Sequence, residues 1–154
     1  MSSTNPVKLS SETSQWLIAK GYSLEDLDQR GENGDTALMK ATREGFYSVV
    51  KELIDAGADI NSTNNDHNNA LWFACFGNHY DLMNLLLSAN IDINNQNDNG
   101  ATVLMYGASA GKTEVVKLLL QHDPNMNLKN LDDYKAIDFA STIEVLRLLK
   151  NATQ

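Results

Sequence analysis

A short pattern returns every 33 residues along this chain and restricts its fold more than any other feature. The segments DTALMKA, NNALWFA, ATVLMYG and YKAIDFA begin at residues 35, 68, 101 and 134. A second series keeps the same spacing, with VVKELIDAGADIN from residue 49, LMNLLLSANIDIN from 82 and VVKLLLQHDPNMN from 115. A fixed period of this length predicts stacked copies of one structural unit, each too small to bury its own apolar face.

Each unit is predicted to contain a helix, a tight turn, a second helix and a long turn. Good N-cap residues precede the first helix in three units, namely Thr36, Asn69 and Thr102, whereas Lys135 cannot cap the fourth. Residues that accept a left-handed backbone end those three helices: Gly45, Asn78 and Gly111. The second helix then carries an apolar stripe, as in Val49, Val50, Leu53 and Ile54. The predicted fold class is all-α.

The markers GDTALMKA (34–41), VVKELIDAGADIN (49–61) and EVVKLLL (114–120) resemble the ankyrin repeat family. The resemblance covers roughly residues 31–150 and implies a solenoid of about four repeats with an N-terminal capping helix. The family's T-P-L-H tetrapeptide reads TALM, NALW, TVLM and KAID here. Because both the Pro and the His are missing, we expect the fold to survive on its hydrophobic stripe with some loss of local stability.

The repeat register divides the chain into five segments. We expect a polar N-terminus and N-capping helical half-repeat at 1–30, repeats at 31–63, 64–96 and 97–129, and a shortened C-capping repeat at 130–154. The last repeat is expected to be short because three residues are missing between its two helices.

Charge and cysteine usage restrict the possible partners and compartment. Twelve Lys and Arg residues stand against twenty Asp and Glu residues, a net charge of −8 that repels phosphate backbones and anionic lipids. Cys75 is the single cysteine, which fits a reducing compartment. The N-terminus lacks an apolar signal segment, and no stretch is long and apolar enough to span a membrane. We therefore expect a cytoplasmic protein that binds neither nucleic acid nor membranes.

Residues capable of chemistry do not form a recognisable catalytic or metal-binding pattern. The three histidines, at 67, 79 and 122, lack metal-ligand spacing, and Cys75 is separated from His79 by the helix-breaking Asn78. The GKT at 111–113 would need Gly at 106 to be a phosphate loop, where Tyr106 stands. Asp132 and its neighbouring carboxylate lie in a predicted turn. The sequence predicts no catalytic residue, metal or cofactor, and thus no enzyme.

The resemblance implies instead a protein-binding surface made of the turn tips and the exposed side of the first helices, which line a concave groove. Carried over position by position, the predicted partner-binding residues are Glu32, Asn33, Asp35, Arg43, Glu44, Asp66, Asn68, Trp72, Phe76, Asp98, Asn99, Asp132 and Tyr134. Because acids outnumber the lone Arg43 here, we expect a partner with a basic surface. The alternative that these acids only keep the turns solvated stays open.

Aromatic residues form the second feature of this surface. Phe73, Tyr106 and Phe139 share one register position and are expected to pack between repeats, whereas Phe76 is expected to be exposed. For Trp72, packing and partner contact both remain open. The hypothesis is a monomeric adaptor, inhibitor or scaffold. The alternatives are a small-ligand receptor or enzyme using the aromatic patch near Trp72, or a structural homo-oligomer. The resemblance also makes Asn61 and Asn94 similar to asparagines that are hydroxylated in some eukaryotic ankyrin proteins.

Overall fold

The computed structural model describes residues 8–153. Eight α-helices and two 3₁₀ turns occur there, and this range contains no β-strand. The helices are α1 (Ser11–Ala19), α2 (Ala37–Glu44), α3 (Tyr47–Asp55), α4 (Ala70–Phe76), α5 (Tyr80–Ser88), α6 (Val103–Ser109), α7 (Thr113–Leu120) and α8 (Ile143–Ala152). The 3₁₀ turns are Glu32–Gly34 and Ala136–Phe139. None of these helices is long and apolar enough to cross a membrane.

The first helices begin at the predicted caps. The side-chain oxygens of Thr36 and Thr102 accept hydrogen bonds from backbone N–H groups three residues on, at 3.4 and 3.3 Å. Asn69 accepts one from the N–H of Leu71 at 3.2 Å. These bonds satisfy donors that have no partner inside the helix. The cap predictions are confirmed.

The tight turn between the two helices of a unit also follows the sequence. Gly45, Asn78 and Gly111 have φ angles of 75°, 55° and 66°, the left-handed region that glycine and asparagine tolerate best. The chain then reverses, and the second helix lies beside the first. Equivalent helices of neighbouring units contact each other. Among the first helices, α2 contacts α4 and α4 contacts α6; among the second helices, α3 contacts α5 and α5 contacts α7. The predicted solenoid of stacked helical pairs is therefore the observed fold.

The core is continuous from the first helix to the last. The stripe of the second helices is fully buried at Leu53, Leu86 and Leu119, and helix α1 contributes Leu17 at one end while α8 contributes Leu149 at the other. Each unit closes the apolar face of its neighbour, which is why the stack folds as a whole. Burial of this kind stabilises by roughly 25 cal/mol for each Å² of apolar surface removed from water.

Helix α1 is fastened to the stack by Glu52 of α3. Its carboxylate accepts the backbone N–H of Ser10 at 2.7 Å and the hydroxyls of Ser10 and Thr13 at 2.8 Å each. These bonds lower the pKa of Glu52 because they stabilise its charged form, the backbone bond from Ser10 most of all. Helix α1 is thus held by hydrogen bonds to Glu52 as well as by its buried Leu17.

The fourth unit departs from the others in its first helix. Instead of an α-helix it forms the 3₁₀ turn Ala136–Phe139, and the backbone N–H of Lys135 donates to the Asp138 carboxylate at 2.8 Å. Lys135 offers no oxygen to cap the helix, as its side chain predicts. Three residues are also missing before α8, so the second helix begins before a longer first helix could end.

Candidate partner-binding surface

The long turns end in four tips, which we define as residues 31–35, 64–68, 97–101 and 130–134. Backbone hydrogen bonds join each tip to the next, from Asn65 N–H to the Asn33 carbonyl at 3.0 Å and from Asp98 N–H to that of Asp66 at 3.1 Å. A third runs from Leu131 N–H to the Asn99 carbonyl at 3.0 Å. The tips therefore form one connected row. We use the name tip surface for this row together with the exposed residues of the first helices.

Three asparagines 33 residues apart hold the shape of the tips. The side-chain oxygen of Asn64 accepts the backbone N–H groups of residues 66 and 68, and Asn97 and Asn130 do the same for their own tips, at 3.0 or 3.1 Å. An asparagine in this place mimics a backbone turn. Sequence reasoning did not single out these three residues, although their identical spacing was a usable signal.

Asp35 and Glu44 are both occupied within the protein. The Asp35 side chain is buried, with the residue 3% exposed, and accepts hydrogen bonds from the Arg43 guanidinium at 3.0 Å and the Asn64 amide at 2.9 Å. Glu44 is held by the Lys20 ammonium at 3.1 Å and accepts the Trp16 indole N–H at 3.1 Å. The Asp35 carboxylate is therefore engaged inside the protein, and its role as a partner contact stays a prediction.

The remaining acids lie at the surface. Asp66 accepts a hydrogen bond from the Asn33 amide at 3.0 Å, and Asp98 contacts the His67 ring. Glu32 and Asp132 are exposed and make no side-chain hydrogen bond within residues 8–153. Asn99 is exposed beside them, whereas Asn68 is half-buried with a side-chain oxygen that has no partner in this range. Four carboxylates of the predicted set thus remain at the tip surface.

An aromatic cluster lies on the first helices next to the tips. Phe76 is 42% exposed, and its ring meets that of Tyr106 edge to face at 4.8 Å between centroids. Trp72 lies 5.8 Å from Phe76 and 6.1 Å from Tyr106, and Phe73 lies 6.0 Å from Phe76. The expected exposure of Phe76 and packing of Phe73 are both observed.

Trp72 packs inside the protein, which was one of the two alternatives left open for it. It is 3% exposed, and its indole N–H donates to the Asn95 side chain at 3.0 Å. A buried tryptophan usually has its N–H paired in this way. Trp72 also lines the hollow described below, and its contact with a partner stays a prediction. Tyr134, by contrast, is 52% exposed and packs edge to face on Phe139 at 5.9 Å.

Two cations border the aromatic cluster. The Arg43 guanidinium lies 4.5 Å from the centre of the Phe73 ring, and the Lys112 ammonium lies 5.3 Å from that of Tyr106. Lys112 also donates to the carbonyls of Cys75 and Phe76 at 3.1 and 3.0 Å, where helix α4 ends. A cation is favourable at this end of a helix dipole. The role of Lys112 was not predicted, because nothing in its sequence position indicates a contact 36 residues away.

A hollow of about 360 Å³ opens beside the cluster, between the third and fourth units. Residues of the first helices and of the second 3₁₀ turn line one part of it: Trp72, Met105, Tyr106, Ser109 and Phe139. Tip residues line its other part, which we call the tip wall: Asn97, Asn99, Ala101, Asn130 and Asp132. The hollow therefore combines aromatic rings with amide groups and one carboxylate.

Cys75 and His79, the residue types most capable of catalysis, both have roles in packing between helices. Burial raises the pKa of the Cys75 thiol to about 12, so it stays protonated, and the predicted packing role is confirmed. A ring nitrogen of His79 lies 3.3 Å from the Arg43 carbonyl, a contact between units. Within residues 8–153 there is no group of three or more His, Cys, Asp and Glu side chains arranged to hold a metal ion.

Comparison with known families agrees with the helical stack. Residues 7–97 and 71–153 both match the family model described as Ankyrin repeats (3 copies), and together they span nearly the whole chain. Repeats of this family generally serve as protein–protein interaction modules. With the register, the caps and the paired helices in place, the chain belongs to the ankyrin repeat family.

Proposed function

We propose that this protein binds another protein through the tip surface, and that the exposed Phe76 ring lies at the centre of the contact. The observation that carries the proposal is that Phe76, at the C-terminal end of α4, packs on Tyr106 and yet leaves 42% of its surface exposed. Aromatic residues in such places often dominate the energy of an interface.

The tip surface is also well ordered before any partner arrives. Backbone bonds link the tips, and asparagine side chains hold each of them in shape. A preformed surface loses little conformational entropy on association, which favours affinity. The surface thus meets the main physical requirement of a binding module.

The proposed partner has a basic segment beside an apolar one. Glu32, Asp66, Asp98 and Asp132 place four carboxylates along the tips, and the chain as a whole carries a net charge of −8. Complementary charge speeds encounter and selects among partners more than it adds affinity. We further propose a monomeric, cytoplasmic adaptor, inhibitor or scaffold. The buried, unpaired Cys75 is compatible with a reducing compartment.

The test is capture of partners by two matched double variants, quantified by mass spectrometry. Phe76→Ala with Asp98→Lys alters the tip surface. Tyr80→Ala with Asp55→Lys alters the second helices, where Tyr80 is also 42% exposed and the exposed Asp55 carboxylate likewise contacts one side chain, that of Lys51. We expect the first variant to lose the proteins that the natural chain captures and the second to keep them, with the same helicity in both.

Equal capture by the Phe76→Ala, Asp98→Lys variant would refute the assignment of the tip surface. Loss of capture by the Tyr80→Ala, Asp55→Lys variant alone would place the contact on the second helices. Raising the salt concentration separates the charge component, because contacts to the exposed tip carboxylates are screened and an apolar contact at Phe76 is not.

A further inference from the structure

One register position is filled differently in each of the first three units. Residues 43, 76 and 109 lie at the ends of the first helices, and each faces the ring position of the next unit, at 73, 106 and 139. We call the space between the two positions the notch. The three notches have the same backbone frame, so their contents can be compared directly.

In the first notch the chain supplies its own cation. Arg43 lies over the Phe73 ring at 4.5 Å while its guanidinium donates to the Asp35 carboxylate at 3.0 Å. The planar guanidinium suits both contacts, because it stacks on an aromatic face and donates in the plane of its nitrogens. In the second notch Phe76 occupies the same position and packs on Tyr106 at 4.8 Å.

The third notch is open. Ser109 is too small to reach across it, and the hollow of about 360 Å³ lies where Arg43 and Phe76 lie in the other two. Phe139 supplies the ring of this notch, and the Asp132 carboxylate stands on its tip wall without a side-chain partner among the described residues.

An aromatic ring and a carboxylate are therefore both present among the described residues of this notch. The carboxylate comes from the tip of the fourth unit, whereas Asp35 belongs to the same unit as Arg43, and Ala101 stands at the register position of Asp35. No cation within residues 8–153 lines the hollow.

We propose that the third notch accepts an arginine side chain of the partner, stacked on the Phe139 ring as Arg43 is stacked on Phe73. This deepens the proposed function by naming one side chain that the partner presents. The Phe139 ring would stack on the guanidinium, and Asp132 would accept its hydrogen bonds. Tyr106 lines the same hollow, but its ring already contacts Phe76 and the Lys112 ammonium. The oxygens of the wall asparagines Asn97, Asn99 and Asn130 are additional acceptors. A neutral apolar side chain would fill the space but leave the carboxylate unpaired.

The test uses single amino-acid probes, so it does not depend on knowing the partner. N-acetyl-arginine amide is titrated into the ¹⁵N-labelled protein, and the side-chain amide signals of Asn97, Asn99 and Asn130 are followed by NMR. The matched probes are N-acetyl-citrulline amide, which has the same shape without the charge, and N-acetyl-phenylalanine amide. We expect millimolar binding of the arginine probe and about tenfold weaker binding of citrulline, because charge-assisted bonds are lost.

Two variants locate the site. Ser109→Arg places a guanidinium in the notch from within and is expected to abolish binding of the arginine probe. Ser88→Arg is the matched control, since Ser88 is likewise exposed and ends a helix, but on α5. Asp132→Asn is expected to weaken binding of the arginine probe to the level of the citrulline probe and to leave binding of the phenylalanine probe unchanged.

Equal binding of the arginine, citrulline and phenylalanine probes, or full binding by Ser109→Arg, would overturn the inference. Absence of probe binding would overturn it too, but the tip surface would stand if the Phe76→Ala, Asp98→Lys variant still loses its partners. Conversely, probe binding at the notch combined with unchanged capture by that variant would leave the notch in place and refute the proposed function.

Discussion

The contact between the first and second units and the contact between the third and fourth units share a frame but differ in content. Both bury a leucine of the second-helix stripe completely, Leu53 in the first unit and Leu119 in the third. On the tip surface, however, Arg43 fills the first contact and is fixed by Asp35, whereas Ser109 leaves the other open.

This difference separates two tasks that the repeat performs. Stability comes from the positions that repeat, because each stripe is covered by an equivalent stripe in the next unit. Under the proposed function, recognition comes from the positions that vary, because only they distinguish one stretch of the surface from another. The open contact is the place where we propose that a side chain of the partner takes a role that Arg43 fills in the first contact.

The largest effect is expected where the two contacts are alike. Leu53→Ala and Leu119→Ala each remove a fully buried side chain, and each should lower the free energy of unfolding by about 2–5 kcal/mol. Chemical denaturation followed by circular dichroism measures both values. A cost for Leu119→Ala below about 1 kcal/mol would show that the C-terminal contact is much looser than the stripe indicates.

The next effect should distinguish the two contacts. Asp35→Ala leaves the Arg43 guanidinium and the Asn64 amide without their buried acceptor and should cost about 2–3 kcal/mol. At the contact between the third and fourth units the same register position is Ala101, which has no carboxylate. One unit further on it is the exposed Tyr134, and Tyr134→Ala should lower the free energy of unfolding by about 1 kcal/mol or less. Equal losses in the same denaturation assay would mean that the internal pairing of Arg43 does not stabilise the first contact.

Filling the open contact should stabilise the protein modestly. Ser109→Phe places a ring where Phe76 lies one unit earlier, and an aromatic pair with Phe139 is worth about 0.5–1.5 kcal/mol. The gain should appear as a higher melting temperature by calorimetry. Ser109→Ala is the control and should leave the melting temperature almost unchanged. A lower melting temperature for Ser109→Phe would indicate that the hollow cannot accommodate a ring.

The smallest effect concerns the outer end of the stack, where Glu52 holds helix α1. Its pKa is lowered in the folded state, so its contribution to stability is present at neutral pH and is lost as the pH falls below 4.5, the ordinary glutamate value, through the folded pKa. Glu52→Gln should cost about 0.5 kcal/mol at pH 7, since the amide oxygen accepts the same bonds more weakly.

The cost of Glu52→Gln should vanish at acid pH in a series of denaturation curves. The control is Glu25→Gln, whose carboxylate makes no hydrogen bond within residues 8–153. If the loss in free energy of unfolding caused by Glu52→Gln stays constant down to pH 3, the bonds from Ser10 and Thr13 do not depend on the charge of the Glu52 carboxylate.

The repeated features of this fold could be predicted from the sequence, and the unrepeated ones could not. Thr36, Asn69 and Thr102 indicated helix starts because capping depends on a residue and its next few neighbours. The burial of Asp35 and Trp72 depends on Arg43 and Asn95, which reach them through the folded chain. Whether a side chain at a tip faces a partner or a neighbour is therefore decided by packing that sequence spacing does not contain.

The central claim is that the tips and first helices contact the partner while the second helices do not. Hydrogen exchange measured by mass spectrometry, on the free protein and on the complex with its captured partner, tests it directly. The account predicts slower exchange on binding at residues 64–68, 97–101 and 130–134, with helices α3, α5 and α7 unchanged. Slower exchange confined to α3, α5 and α7 would contradict it.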